Sequence, residues 1–115
     1  MSDDPPRRGE LWWINLGEPV GHEQGGMRHA LILSLDAFNR GPAGLAVVLP
    51  LSSRAKQIRS HVAVTPSEGG LSERSLIKCE DIRSISKARS MERIGEMSAT
   101  ALRSVETIIR YLLGL

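Results

Sequence analysis

Arg28, Ser52 and Ser53 are the residues whose types best suit chemistry, together with the polar loop residues His22, Glu23 and Gln24 just ahead of Arg28. A guanidinium is a planar fork that can hold two phosphate oxygens and does not readily lose its charge. A serine hydroxyl at a strand mouth can donate to a third oxygen. Together they suit stabilisation of a phosphoryl-transfer transition state without metal, provided the substrate brings its own nucleophile. RNA carries one in its 2′-hydroxyl and DNA does not. Charged loop residues mostly serve solvation, so residue types alone leave a surface role open for each of them.

Other chemistries find less support. His22, His29, His61 and Cys79 are candidate metal ligands, but they fall in no CxxC, HExxH or EF-hand spacing. No metal and no cofactor is expected. Cys79 lies in an apolar stretch and suits a small core residue better than a nucleophile. There is no Walker loop, GxSxG or dinucleotide fingerprint, and Gly25-Gly26 is too short to cradle a pyrophosphate.

The elements that must position these residues fit one domain in a chain of 115 residues. A loose lead-in is expected over residues 1–8, where Pro5-Pro6 blocks helix and most pairing, and a single domain over residues 9–115. The balance of 15 Lys+Arg against 13 Asp+Glu gives +2, a mild bias toward anionic partners that is too weak to indicate nucleic acid by itself. One cysteine excludes an internal disulfide framework and fits a reducing compartment. No apolar run reaches the length of a membrane span, and the acidic, Pro-rich start resembles no signal peptide, so a cytoplasmic location is expected.

Leu11–Leu16 reads as a strand that puts Trp12 and Trp13 on opposite faces. One ring is expected in the core. The other faces outward, better suited to a dimer interface than to stacking a base. The breaker-rich stretch 17–26 leads to Arg28 and then to a short buried strand, Ala30–Leu33. Leu35–Asn39 suggests one helical turn. Leu45–Leu51 is the most apolar run and should be a central strand, with pairing stopping or bulging at Pro50.

His61–Thr65 reads as a further short strand, Ser75–Cys79 and Ile82–Ile85 as two strands or one bent strand joined around Glu80-Asp81, and Ser86–Arg93 as a polar connection to a helix. That helix starts at a Ser98 cap, ends at Gly114, and repeats Leu102, Val105, Ile108, Ile109, Leu112 and Leu113 at helical spacing. Glu106 and Arg110 form an i,i+4 pair of favourable polarity. Five or six short strands followed by one helix argue for a mainly β (α+β) fold, a small, partly closed antiparallel sheet with the helix packed on it.

The pieces also resemble a known family. Arg8-Gly9-Glu10-Leu11-Trp12-Trp13-Ile14-Asn15-Leu16 is similar to the opening R-G-[DE]-[IVL]-[WY]-x-[VI]-[DN]-[LF] of the MazF/PemK toxin endoribonucleases. Gly21-His22-Glu23-Gln24-Gly25-Gly26-Met27-Arg28 resembles their G-x-E-Q-x-G-x-R loop, and Pro50-Leu51-Ser52-Ser53-Arg54-Ala55-Lys56 their P-[VIL]-[ST]-[ST]-x-x-K segment. Ser75-Leu76-Ile77 and Asp81-Ile82-Arg83-Ser84-Ile85 resemble two later blocks, so the likeness runs over about residues 8–115.

The resemblance implies a compact β-barrel of the CcdB/MazF/PemK type with a C-terminal helix, acting as a homodimer. It implies metal-independent cleavage of single-stranded RNA at short motifs, leaving 2′,3′-cyclic phosphate and 5′-hydroxyl ends, held in check by a MazE-like antitoxin. The family's catalytic arginine falls on Arg28 and its catalytic threonine on Ser52, which keeps the hydroxyl and loses the methyl that stiffens χ1. His22, Glu23, Gln24 and Ser53 are then expected at the RNA, with Arg54 and Lys56 steering backbone phosphates.

Three positions depart from the family pattern. His29 stands where proline usually follows the arginine, which frees a backbone donor and relaxes the local φ. His22 replaces a common serine, and its imidazole is a candidate acid or base. Asp81 replaces the usual glutamine, altering a structural bond or the charge of the groove. Two other readings remain on the same fold: a non-enzymatic CcdB-like gyrase binder acting through its helix end, and a degenerate member that has lost activity.

Overall fold

The computed structural model describes residues 4–66 and 68–115. Of the lead-in expected over residues 1–8, residues 1–3 lie outside the described ones. Arg8 is fixed at three points: its backbone N–H donates to Asp36, and its guanidinium donates to the Leu33 carbonyl and pairs with Glu106.

The described residues form seven strands and two α-helices: β1 (Glu10–Asn15), β2 (Met27–Ile32), α1 (Asp36–Arg40), β3 (Leu45–Ser52), β4 (His61–Val64), β5 (Ser75–Lys78), β6 (Arg83–Ser86), β7 (Ser90–Glu96) and α2 (Ala99–Leu113). All pairings are antiparallel, in the order β4-β5-β3-β2-β1-β7, with β6 also on β3. The sheet does not close, because the end strands β4 and β7 do not pair with one another. The expected architecture of a mainly antiparallel β sheet with a C-terminal helix is what the chain adopts.

Strand alternation sorts the apolar residues onto two faces. Leu11, Leu31, Leu49, Leu51 and Ile77 meet Val105 and Ile109 of α2 in the larger core. Ile14, Ala30, Ile32, Ala46, Val48 and Ile85 form a second cluster on the opposite face, with Trp12 against it. The helix is capped as its sequence suggests: the Ser98 hydroxyl accepts from the Ala101 N–H, and Gly114 turns left-handed at φ 72°. Its apolar stripe is buried only as far as Ile109, leaving Tyr111, Leu113 and Leu115 exposed.

Two local expectations are corrected. Residues 86–93 are not a connection: a 3₁₀ turn at Lys87–Arg89 leads into β7, which pairs with β1. Glu106 turns to Arg8 of the lead-in rather than to Arg110. The expectation at Pro50 holds: the β2 ladder ends there and the other edge changes partner across it. Ala30 pairs with Pro50 on the β2 side, while the other edge is taken by β6 over Leu45–Val48 and by β5 from Leu51. Pro50 lies where β3 changes neighbours, so its missing donor costs no rung on that edge.

Candidate active site

The β2–β3 register explains how Arg28 and Ser52 meet. Ile32↔Val48, Leu31↔Leu49 and Ala30↔Pro50 are opposed, and beyond the last of these pairs Arg28 and Ser52 lie two residues along on their strands, at the same end of the sheet. Both line one groove of about 420 Å³, with Trp13, Gln24, Met27, His29, Leu51, Ser53, Arg54, Glu73 and Ser75. Met27, Arg28 and His29 are consecutive, so the groove runs across the start of β2 rather than along one of its faces.

Arg28 is exposed, and its side chain makes no hydrogen bond or ion pair among the described residues. A guanidinium placed this way keeps all its donors for an incoming anion. Ser52 closes β3, and its Oγ accepts from the backbone N–H groups of Arg54 and Ala55, each at 3.2 Å. Those two bonds fix the hydroxyl oxygen and leave its proton to donate outward. Arg54 adds a second cation to the groove and Glu73 a carboxylate.

The Gly-rich loop is tied down from β5, from the turn after it and from the first residue of β6. Asp81 accepts the Gln24 backbone N–H, Arg83 donates to the Gln24 carbonyl, and Lys78 Nζ reaches Gln24 Oε1 and the His22 carbonyl. Glu23 folds back on the loop, accepting from the Val20 N–H. The structure therefore brings Arg28, Ser52, Ser53, Arg54 and Gln24 together. His22, Glu23 and Lys56 lie outside the lining: His22 is exposed, and Lys56 contributes its carbonyl to His61 Nδ1 at 2.8 Å.

Sequence reasoning missed Met27, Leu51, Glu73 and Ser75 as lining residues, and treated Trp13 and His29 for other reasons. Trp13 and His29 are cross-strand partners, their rings 4.8 Å apart and edge to face. Burial holds the His29 imidazole below its usual pKa, partly opposed by the nearby Glu73 carboxylate. Period-two alternation from Leu11 to Trp13 and from Leu31 to His29 would have placed both on the helix-packed face. Among the described residues no group of three or more His, Cys, Asp or Glu side chains is arranged to hold a metal. Nor is any helix among them long and apolar enough to cross a membrane.

An open antiparallel sheet capped by one helix, with a cationic groove across a strand end, defines the class. The family model described as PemK-like, MazF-like toxin of type II toxin-antitoxin system matches residues 7–113. The chain belongs to that family. It is 34% identical over 100 residues to Endoribonuclease PemK of Escherichia coli, covering 85% of this chain and 74% of that one. It is 27% identical over 110 residues to Endoribonuclease EndoA of Bacillus subtilis (strain 168), covering 95% of each. Among solved structures, MazF from Deinococcus radiodurans superposes with a TM-score of 0.85 at 37% identity, covering 98% of this chain and 100% of that one. A MazE-MazF structure from the same organism gives 0.79 at 36% identity, covering 98% and 99%.

Proposed function

We propose that this chain is the toxin of a type II toxin–antitoxin pair, a metal-independent endoribonuclease that cuts single-stranded RNA at a short motif. The observation that carries the reading is the shared groove of Arg28 and Ser52. Arg28 holds the scissile phosphate, stabilises the charge of the phosphorane and takes part in proton transfer; Ser52 hydrogen-bonds the same phosphate. The 2′-hydroxyl attacks phosphorus, leaving a 2′,3′-cyclic phosphate and a 5′-hydroxyl. Gln24, Ser53 and Arg54 contact RNA along the groove, His22 and Glu23 meet it at the loop, and Lys56 attracts backbone phosphates from beyond the lining.

The active form is a cytoplasmic homodimer of one toxin domain over residues 9–115. A MazE-like antitoxin, acidic and partly disordered, silences it by crossing the basic groove. The chemistry is tested by replacing the nucleotide 5′ of the cut with its 2′-deoxy form. The reading requires that this substitution abolish cleavage; persistent cleavage would remove the 2′-hydroxyl mechanism. A second, CcdB-like reading has the exposed Tyr111, Leu113 and Leu115 in its favour. It predicts that Arg28→Ala stays toxic to cells, whereas the nuclease reading predicts loss of toxicity.

A further inference from the structure

The groove holds one group that the reading above leaves without a task. Of the chain's three histidines, His29 alone lines the groove. His61 is buried, with its Nδ1 2.8 Å from the Lys56 carbonyl and its Nε2 2.8 Å from Glu80, so both ring nitrogens are committed. His22 is exposed and off the groove. The His29 ring is half-buried and held edge to face against Trp13, and neither of its nitrogens makes a hydrogen bond among the described residues. It lines the same groove as Arg28 and Ser52, so a phosphate held there by Arg28 lies in the cavity that the imidazole also borders.

We propose that His29 is the general base of the reaction, taking the proton from the attacking 2′-hydroxyl. The proposal rests on the nuclease reading and assigns its first proton transfer. As the O2′–P bond forms, the O2′ proton passes to the imidazole. As the P–O5′ bond breaks, O5′ takes a proton from a solvent water polarised by Arg28, and the resulting hydroxide is neutralised by the imidazolium proton. No atoms are gained or lost beyond the cyclic phosphate and the 5′-hydroxyl. Burial favours the uncharged imidazole a base requires at neutral pH. The charged groups that share the groove with it are Arg28, Arg54 and Glu73, of which the Glu73 carboxylate opposes the effect of burial.

The test is kcat/KM for RNA cleavage from acid to neutral pH, with wild type and His29→Gln, beside an NMR titration of the His29 ring in the wild-type protein. Wild type should lose activity as pH falls through a midpoint below 6.5, and that midpoint should match the ring titration. His29→Gln should be slower by about a hundredfold or more at neutral pH and should lose the acid limb. Imidazole added to His29→Ala should restore cleavage. A ring titration that does not match the limb overturns the assignment whatever the variants do. An unchanged rate and limb in His29→Gln overturns it too, as does a change confined to KM or to the cleavage motif, which would make His29 a base contact. Wild type that cuts no RNA removes the nuclease reading and this inference with it, an outcome distinct from the others because the wild type itself is silent.

Discussion

The Asp81 carboxylate accepts the backbone N–H of Gln24 at 2.8 Å, joining the turn before β6 to the loop that precedes Arg28 across 57 residues of sequence. Arg83 completes the clamp, donating to both Asp81 oxygens and to the Gln24 carbonyl at 2.8 Å. The glutamate-free, Gly-rich end of the loop is thus fixed through its backbone, and the Asp81 that departs from the family pattern has a structural bond.

Removing the Asp81 carboxylate leaves the largely buried Arg83 guanidinium without its counter-charge and the Gln24 N–H without an acceptor. Asp81→Ala should cost about 1–3 kcal/mol in denaturant unfolding. It should also speed amide exchange over residues 21–26, while Asp81→Asn, which keeps an acceptor oxygen, should lose less. Equal loss in both variants would mean that the N–H bond is not what holds the loop.

Glu10 gives the fold a pH dependence on the acid side. Burial would raise its pKa, but bonds from Arg93, Trp12 and the Arg7 N–H outweigh it and hold the carboxyl below its ordinary value of 4.5. The folded state therefore favours the ionised form. Its contribution is complete above the unfolded-state pKa and disappears as pH falls through the lower folded-state one. Unfolding free energy measured against pH should decline on the acid side, and Glu10→Gln should flatten that decline. A slope unchanged by the substitution would assign it to other carboxylates.

Cys79 is fully buried in the helix-side core, and burial followed by the neighbouring Glu80 charge pushes its thiol up to about 12. With almost no thiolate at neutral pH and no access, the native protein should resist alkylation and react once unfolded. Mass spectrometry after a short exposure to iodoacetamide, with and without denaturant, reads this directly; rapid native modification would contradict the burial.

Gly95 in β7 stands where a Cβ would come within 2.2 Å of the Gly69 carbonyl oxygen. The obstacle is backbone, so no side-chain rotation relieves it. Gly95→Ala should destabilise the fold by about 1–3 kcal/mol, seen as a lower midpoint in urea. A neutral effect would show that β7 moves freely away from the Glu68–Gly70 turn.

Much of this architecture was readable from residue pattern. Leu11–Leu16 and the LAVVLPL run declared buried strands, and α2 followed from its 3.6-residue stripe and its Ser98 and Gly114 caps. β7 escaped because Ser90–Glu96 is mostly exposed at the end of the sheet, so its residues, Met91, Glu92 and Arg93 among them, look like a solvated connection. In the groove, Arg28, Ser52, Ser53, Arg54 and Gln24 came from residue type and from the family likeness. Glu73 and Ser75 could not, because only the pairing of Ser52 with Leu76 brings the start of β5 to the end of β3. That pairing is a long-range fact. Glu106 teaches the same lesson, since its sequence neighbour Arg110 lost to Arg8, 98 residues away.

The most direct measurement is cleavage of a long single-stranded RNA in excess chelator by wild type, Arg28→Ala and Ser52→Ala, with the fragment ends mapped. Wild type should cut at one shared short motif and leave cyclic phosphate ends. Arg28→Ala should lose about a thousandfold or more, as expected for a cation lost from a phosphoryl-transfer site, and Ser52→Ala should lose less. Full activity in Arg28→Ala, or no cleavage by folded wild type across several RNAs, would contradict the account.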